Sequence, residues 1–213
     1  MNRGYFLKTL WAILFIGASA QTNAALISRL GGLAYYDTVL DITWLADANA
    51  GAGSVFDDGA SSTDGRMTWA SANAWAASLN IGGITGWRLP ATPISPLCTG
   101  VCVNSEMGAF FYNELGGISL TSILSSNDPD LALFSNIQSD NYWSTEIQQN
   151  AAMAFDFSVG TQNLASKSAL FHFVWAVHSG DVGTTQVSEP GTIALIGLGL
   201  VGLLGFGRRL WKF

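Results

Sequence analysis

The sequence predicts an α+β domain of two helices and antiparallel strands, preceded by a signal peptide and followed by a transmembrane helix. Helix-capping residues, Thr68 and Ser105, each precede a run of helical periodicity in the first half of the domain. In the second half, residues 152–158 alternate between large apolar and small or polar side chains, which is typical of a strand. Two helices early in the domain and antiparallel strands late in it favour the α+β class.

The first helix and the strands before it are predicted from short-range patterns. Residues 33–36 and 42–45 favour two strands around a turn, and the Gly-, Asp- and Ser-rich residues 47–65 favour a loop. From Thr68 a helix is expected to run to about Leu79, because one face then carries Trp69, Ala72, Ala76 and Leu79. The pattern leaves Trp75 off that face, so we expect it to be partly exposed.

The second helix and the later strands follow the same reasoning. We expect a helix over residues 106–115 that ends at Gly116, and a loop over residues 119–140. Strands are predicted over residues 87–89, 141–145 and 152–158, and a final strand over residues 171–177. On that last strand the inward positions are expected to be Phe173, Trp175 and Val177.

Residues 1–24 have the composition of a secretory signal peptide. Arg3 and Lys8 precede a short apolar segment, and small residues then offer cleavage after Ala20 or Ala24. The apolar segment is too short to span a bilayer by itself, because a span needs about 20 apolar residues. The sequence therefore predicts export of the chain.

The C-terminal residues predict a short transmembrane helix over residues 192–207. The stretch 193–206 is apolar and uncharged, and Arg208 and Arg209 follow it directly. Basic residues after a span favour the cytoplasmic side, which places the preceding domain on the periplasmic side of the inner membrane. The signal peptide requires the same orientation.

The same segment, 187–213, resembles a PEP-CTERM sorting signal. The resemblance rests on the motif Ser188, Glu189, Pro190, Gly191, on the apolar run, and on the basic pair Arg208, Arg209. Ser188 stands where that motif usually has its first proline. The resemblance implies processing by an exosortase, transfer to the cell surface or extracellular matrix, and association with exopolysaccharide.

Charge and composition exclude several classes of function. The 213 residues are 49% hydrophobic and only 11% charged, whereas soluble domains carry about 25% charged residues. The net charge of −6 argues against a nucleic-acid partner, because phosphates need a basic face. Loss of five basic residues and one Glu with the two ends leaves a domain of net charge −10.

Residues 33–182 resemble the Lcl C-terminal-like domain, within a region that we delimit as residues 25–186. The most specific stretches are 67–70, 79–83 and 86–90, joined by 43–45, 142–144, 154–157 and 174–177. This resemblance implies a fold related to C-type lectins and formylglycine-generating enzymes. It implies no established reaction.

The candidate sites within the domain are structural or metal-binding, and none is catalytic. Cys98 and Cys102 are expected to form a disulfide in an exported protein. The residues Asp47, Asn49, Asp57 and Asp58 are candidate Ca²⁺ ligands, although Asp and Asn in a loop more often form turns and caps. The candidate structural core comprises Trp69, Trp87, Arg88, Trp143 and Trp175, with Asp181 as a candidate partner for Arg88.

These features favour an exported protein with a lectin-like binding or structural domain and no enzymatic activity. His172 and His178, the only histidines, form no metal-binding or nucleophile motif. An alternative is an envelope glycan-active enzyme, which needs two carboxylates about 5–10 Å apart across a cleft. A third interpretation is that the domain serves chiefly as a structural spacer.

Overall fold

The computed structural model describes residues 26–93, 98, 100–169 and 171–183, and it folds them into two helices and two antiparallel sheets. This confirms the α+β class. In chain order the strands are β1 (Leu26–Arg29), β2 (Ala34–Asp37), β3 (Ile42–Leu45), β4 (Asn141–Gln148), β5 (Ala151–Asp156), β6 (Thr161–Ser166) and β7 (Val177–Ser179). The helices are α1 (Trp69–Ser78) and α2 (Glu106–Ala109).

The two sheets have different connectivity. One has four strands in the order β1-β2-β3-β7, and the other is a meander in the order β4-β5-β6. In the four-stranded sheet, Trp44 pairs with Val177, so the end of the domain closes onto its beginning. The predicted strand at residues 87–89 is reduced to one bridge, in which Arg88 and Val177 exchange both main-chain hydrogen bonds.

Both helices begin at the predicted caps. Thr68 Oγ1 accepts a hydrogen bond from Ser71 N, and Ser105 Oγ accepts one from Gly108 N at 2.9 Å. Each cap satisfies a main-chain donor that the first helical turn leaves free. Beyond α2 the chain continues as a π-helical turn, Phe110–Glu114, so the predicted helix over residues 106–115 changes its winding halfway.

The prediction for the two tryptophans of α1 was wrong. Trp75 is buried, with 2% of its surface exposed, whereas Trp69 is only partly buried. The buried stripe consists of Ala72, Trp75 and Ala76. Trp69 lies at the edge of the core, where Nε1 donates to the Ser144 carbonyl and Lys167 Nζ lies 5.4 Å from its ring.

The final predicted strand was wrong in its bounds, whereas its three predicted inward residues, Phe173, Trp175 and Val177, are buried as expected. Regular pairing begins only at Val177, and the residues before it bridge to several partners, among them Met67 and Trp143. Val174 and Ala176, which were expected to face outward, are as fully buried as Trp175. The alternation fails because this segment packs between the two sheets and is covered on both sides.

The core is an aromatic cluster around Trp175. Its Nε1 donates to the Leu45 carbonyl at 2.7 Å, and its ring contacts Trp44 from the four-stranded sheet and Tyr142 from the three-stranded sheet. Trp44 also stacks on Phe110 with ring centroids 4.0 Å apart. Trp143 and Trp87 are buried as well, and each satisfies its indole N–H on a main-chain carbonyl.

Arg88 pairs with a different acid from the candidate named above. Its guanidinium binds both carboxylate oxygens of Glu106, the first residue of α2, at 2.7 Å each. Glu106 also accepts Ala91 N, and Arg88 Nε donates to Ser179 Oγ of β7. Asp181 instead forms a two-fold ion pair with Arg29 of β1.

Candidate functional site

An open cleft of about 430 Å³ lies at one end of the four-stranded sheet. Four separate segments of the chain line it, at Gly32–Leu33, Leu45–Asp47 with Ala50, Ile81 and Ser135. Main-chain hydrogen bonds hold three of these segments together, since Ala46 N donates to Leu33 O and Ser135 N donates to Ala46 O. Small-molecule sites generally occupy about 300–1,000 Å³, so the cleft has the size of a ligand site.

The walls of this cleft are aliphatic and its single ionisable lining residue is Asp47. Leu33, Leu45, Ala46, Ala50 and Ile81 supply the apolar surface. Leu33 keeps 55% of its surface exposed, which is unusual for a leucine that simply completes a core. An apolar cleft with one polar group orients a ligand by that group and holds its body by burial.

Neutral donors fix the Asp47 carboxylate. Its Oδ1 accepts Asn49 N at 2.9 Å and Asn136 Nδ2 at 3.0 Å. Gln138 Nε2 in turn donates to the Asn136 carbonyl at 2.8 Å, so an amide-rich rim adjoins the carboxylate. Such a rim supplies both donors and acceptors, which is what a ligand rich in hydroxyl groups requires.

The four candidate calcium ligands include two, Asp57 and Asp58, whose carboxylates are already bound by neighbouring groups. Asp57 Oδ2 accepts Gly53 N and Gly65 N, and so closes the loop on itself. Asp58 accepts the main-chain N–H and the hydroxyl of Thr68, so it supports the start of α1. Within the described part of the chain, no three His, Cys, Asp or Glu side chains are grouped so as to hold a metal ion.

The predicted disulfide is present. Cys98 and Cys102 are bonded, with Cα atoms 5.5 Å apart, and no free cysteine occurs in the described residues. The bridge lies before α2, and Cys102 is fully buried in the core. Neither cysteine lines the cleft, so we interpret the bridge as structural.

Two buried carboxylates, which sequence patterns did not indicate, lie at the end of β2 and at the end of the π-helical turn. Asp37 ends β2 with no exposed surface, and Glu114 ends the π-helical turn with 4% exposed. Burial, together with the negative charge of Asp37, raises the pKa of Glu114 to about 7. Burial also raises the pKa of Asp37, although main-chain donors from Val39 and Leu40 oppose the shift.

The targeting signals fall outside the described residues. These are the signal-peptide cleavage sites at Ala20 and Ala24, the motif Ser188–Gly191, the basic pair Arg208 and Arg209, and the predicted span over residues 192–207. Among the residues that the structure does describe, none belongs to a helix long and apolar enough to cross a bilayer.

Comparison with known proteins identifies the class of the C-terminal tail. Residues 186–209 match the PEP-CTERM protein-sorting motif. The match covers the tail, and the motif points to an exported, membrane-associated protein that an exosortase sorts.

The two other comparisons give no match for the chain. No curated protein matches the chain. No solved structure matches it either. The resemblance to the Lcl C-terminal-like domain and to lectins therefore has no support from these comparisons.

Proposed function

We propose that this is an exosortase-sorted envelope protein whose domain binds matrix polysaccharide without cleaving it. The sorting motif supports export and attachment, and the open cleft beside Asp47 supports ligand binding by the domain. In this proposal the C-terminal helix first holds the domain on the periplasmic side of the inner membrane. Processing then releases it to the cell surface or the exopolysaccharide matrix.

The observation that carries the binding role is the composition of the cleft. Aliphatic walls suit the C–H faces of a sugar ring, and the amide and carboxylate groups around Asp47 suit its hydroxyls. The resemblance of residues 33–182 to a lectin-related domain family agrees with this role. Calcium is not required by the proposal, because neutral donors already fix Asp47.

The absence of turnover is proposed from the number of acids in the cleft. Glycoside hydrolysis generally uses two carboxyl groups on either side of the bond, and the residues lining this cleft include one. A second candidate function, a glycan-active enzyme, is favoured by the raised pKa of Glu114 beside Asp37. Against it, both acids are buried, and neither lines a described cleft.

The test uses the full-length chain in a polyoxyethylene detergent, because sugar-headed detergents would compete for the site. Exopolysaccharide purified from the producing strain is titrated against the protein, and reducing ends are measured in the same samples. We expect saturable binding with no new reducing ends. Release of reducing ends would establish the enzyme instead, and the absence of both would favour the structural spacer.

Sorting is tested in cells. In a strain without its exosortase, the chain is expected to remain in the inner-membrane fraction with an unprocessed C-terminal mass. Replacement of Ser188 by Pro restores the usual motif, so it reports how strongly that position limits processing. An identical C-terminal mass with and without the exosortase would contradict this part of the proposal.

A further inference from the structure

The cations of the domain are already committed to other groups. Between residues 26 and 183 the chain has fourteen Asp and Glu residues but only four basic ones: Arg29, Arg66, Arg88 and Lys167. Each arginine is held in an ion pair, with Asp181, Asp140 and Glu106 respectively. Lys167 lies over the Trp69 ring, where its charge interacts with an aromatic face. The surface therefore carries a large surplus of carboxylates.

Asp47 belongs to that surplus, and it is the member that faces an apolar cleft. The donors to its Oδ1 are a main-chain amide and the Asn136 amide, both uncharged. None of the ion pairs in the described residues includes Asp47. A carboxylate held in place by uncharged donors pairs favourably with a cation that a ligand brings.

We propose that the cleft binds a cationic amino sugar, with the ligand ammonium group paired to Asp47. The aliphatic walls at Leu33, Leu45 and Ile81 then contact the sugar ring, and the amide rim binds its hydroxyls. This proposal rests on the proposed polysaccharide-binding function and specifies its ligand class. The ligand is a polymer of N-deacetylated amino sugars, not an acidic or a fully N-acetylated one.

The charge of the whole domain favours the same class. A net charge of −10 attracts a polycation over a distance of about 10 Å at moderate ionic strength and repels uronic-acid polymers. The aliphatic cleft adds specificity to this general attraction, because only a ligand with an apolar ring face gains binding free energy by burying that face against its walls.

Three oligosaccharides of equal length test the ligand class: a glucosamine tetramer, an N-acetylglucosamine tetramer and a galacturonic acid tetramer. The full-length chain is titrated with each in a polyoxyethylene detergent at 150 mM salt. We expect the glucosamine tetramer to bind at least tenfold more tightly than the other two, as a charge-assisted hydrogen bond implies.

Two matched variants test the site. Asp47→Asn keeps an acceptor for Asn49 N and removes the charge, so it should weaken binding of the glucosamine tetramer about tenfold. Asp41→Asn is the control, because Asp41 is exposed at the opposite end of the β2–β3 hairpin, and this change should leave binding unaltered. Leu33→Ser leaves the charge unchanged and should weaken binding several-fold if the ring contacts the wall.

The outcomes separate the two proposals. Equal binding of the glucosamine and N-acetylglucosamine tetramers would overturn the cationic ligand but leave polysaccharide binding intact. Equal losses in Asp47→Asn and Asp41→Asn, with none in Leu33→Ser, would show general attraction to an acidic surface and overturn the cleft. Failure to bind these tetramers and the native exopolysaccharide would overturn both proposals.

Discussion

The two sheets of the domain differ in how far apart in the sequence their paired strands lie. β4, β5 and β6 follow one another within residues 141–166 and form a local meander. The other sheet is complete only when β7 joins β3, and contacts such as that of Trp175 with Leu45 then span 130 positions. Local pairing costs little loop-closure entropy, whereas the long-range sheet depends on tertiary contacts that its own sequence segment does not provide.

The segment before β7 is what joins the two sheets. Phe173 exchanges main-chain hydrogen bonds with Asn141 and Trp143 of β4, and four positions later Val177 pairs with β3. Trp175 lies between these two points and contacts aromatic rings from both sides. We therefore expect substitutions in this segment, and in the side-chain pairs that close the four-stranded sheet, to lower the free energy of unfolding. The loss should be larger than for substitutions at the edge of the meander.

The largest effect is expected at Trp175. Trp175→Ala should lower the free energy of unfolding by about 3–5 kcal/mol, because it removes a fully buried indole and leaves a cavity between the sheets. Trp69→Ala removes the same side chain from the edge of the core and should cost about half as much or less. Guanidinium denaturation followed by circular dichroism measures both.

If Trp175→Ala prevents folding altogether, Trp175→Phe keeps a ring in the cluster and gives a measurable smaller loss. Equal costs for the two Trp→Ala changes would contradict the central place of this segment.

The two sheets should also respond to pH in opposite directions. Glu114, whose charge is opposed by that of Asp37 in β2, has a pKa raised from 4.5 to about 7, so its stabilising protonation is lost as pH rises through that range. His172 packs on Trp143 of the meander, and burial lowers its pKa below 6.5, so stability there is lost as pH falls below 6.5.

Two variants separate these contributions. Glu114→Gln should stabilise the protein by about 1–3 kcal/mol at pH 8 and have little effect at pH 5. His172→Gln should instead flatten the loss of stability between pH 7 and pH 5. Chemical denaturation across pH 5–8 measures both. If the free energy of unfolding of a variant changes with pH as that of the wild type does, the substituted group does not cause the pH dependence in that range.

Sequence patterns predicted those parts of the fold that depend on near neighbours. The caps at Thr68 and Ser105 and the turn between β2 and β3 each rest on contacts within a few residues, and these predictions were correct. The sorting tail was predicted for the same reason, because an apolar run between short motifs is a linear feature. In α1, by contrast, alanines occur on several faces of the helix, so the apolar pattern does not indicate which of the two tryptophans is buried.

The candidate site could not be predicted as a whole. Four segments separated by up to about 100 positions line the cleft, and Asp47 is the one lining residue that the sequence predicts as a candidate ligand-binding residue. Likewise, the partner of Arg88 depends on where α2 packs, and Asp37 and Glu114 meet only in the folded chain. In each case the contact is set by tertiary packing, which no short-range pattern records.

A moderate effect is expected at the Arg88–Glu106 pair, which ties the four-stranded sheet to α2. Glu106→Gln should cost about 1–2 kcal/mol, because it leaves a half-buried guanidinium without its counter-charge and removes a negative charge from a helix N-terminus. Asp140→Asn is the matched control, since it breaks the more exposed pair with Arg66 and should cost about 0.5 kcal/mol or less. Urea denaturation compares the two variants. A larger loss of stability in Asp140→Asn would contradict the prediction that the Arg88–Glu106 pair contributes more than the Arg66–Asp140 pair.

A smaller effect than that of Glu106→Gln is expected at the pair that joins β1 to the end of the domain. Arg29 and Asp181 are 152 positions apart, and Asp181 Oδ1 also accepts Gly183 N just before the sorting tail. Asp181→Asn should cost about 0.5–1 kcal/mol, because both side chains retain some contact with water.

Hydrogen bonding to Arg29 lowers the pKa of Asp181, so the contribution of this pair is present above about pH 4 and lost as pH falls below it. The variant should therefore differ from the wild type at pH 6, and the difference should decrease as pH falls below about 4. Hydrogen exchange locates the effect: amides of β1 should lose protection while those of β4–β6 remain unchanged, because only the four-stranded sheet relies on long-range ties. Equal loss in both sheets would mean that they unfold as one unit, and the distinction between a local and a long-range sheet would then have no energetic content.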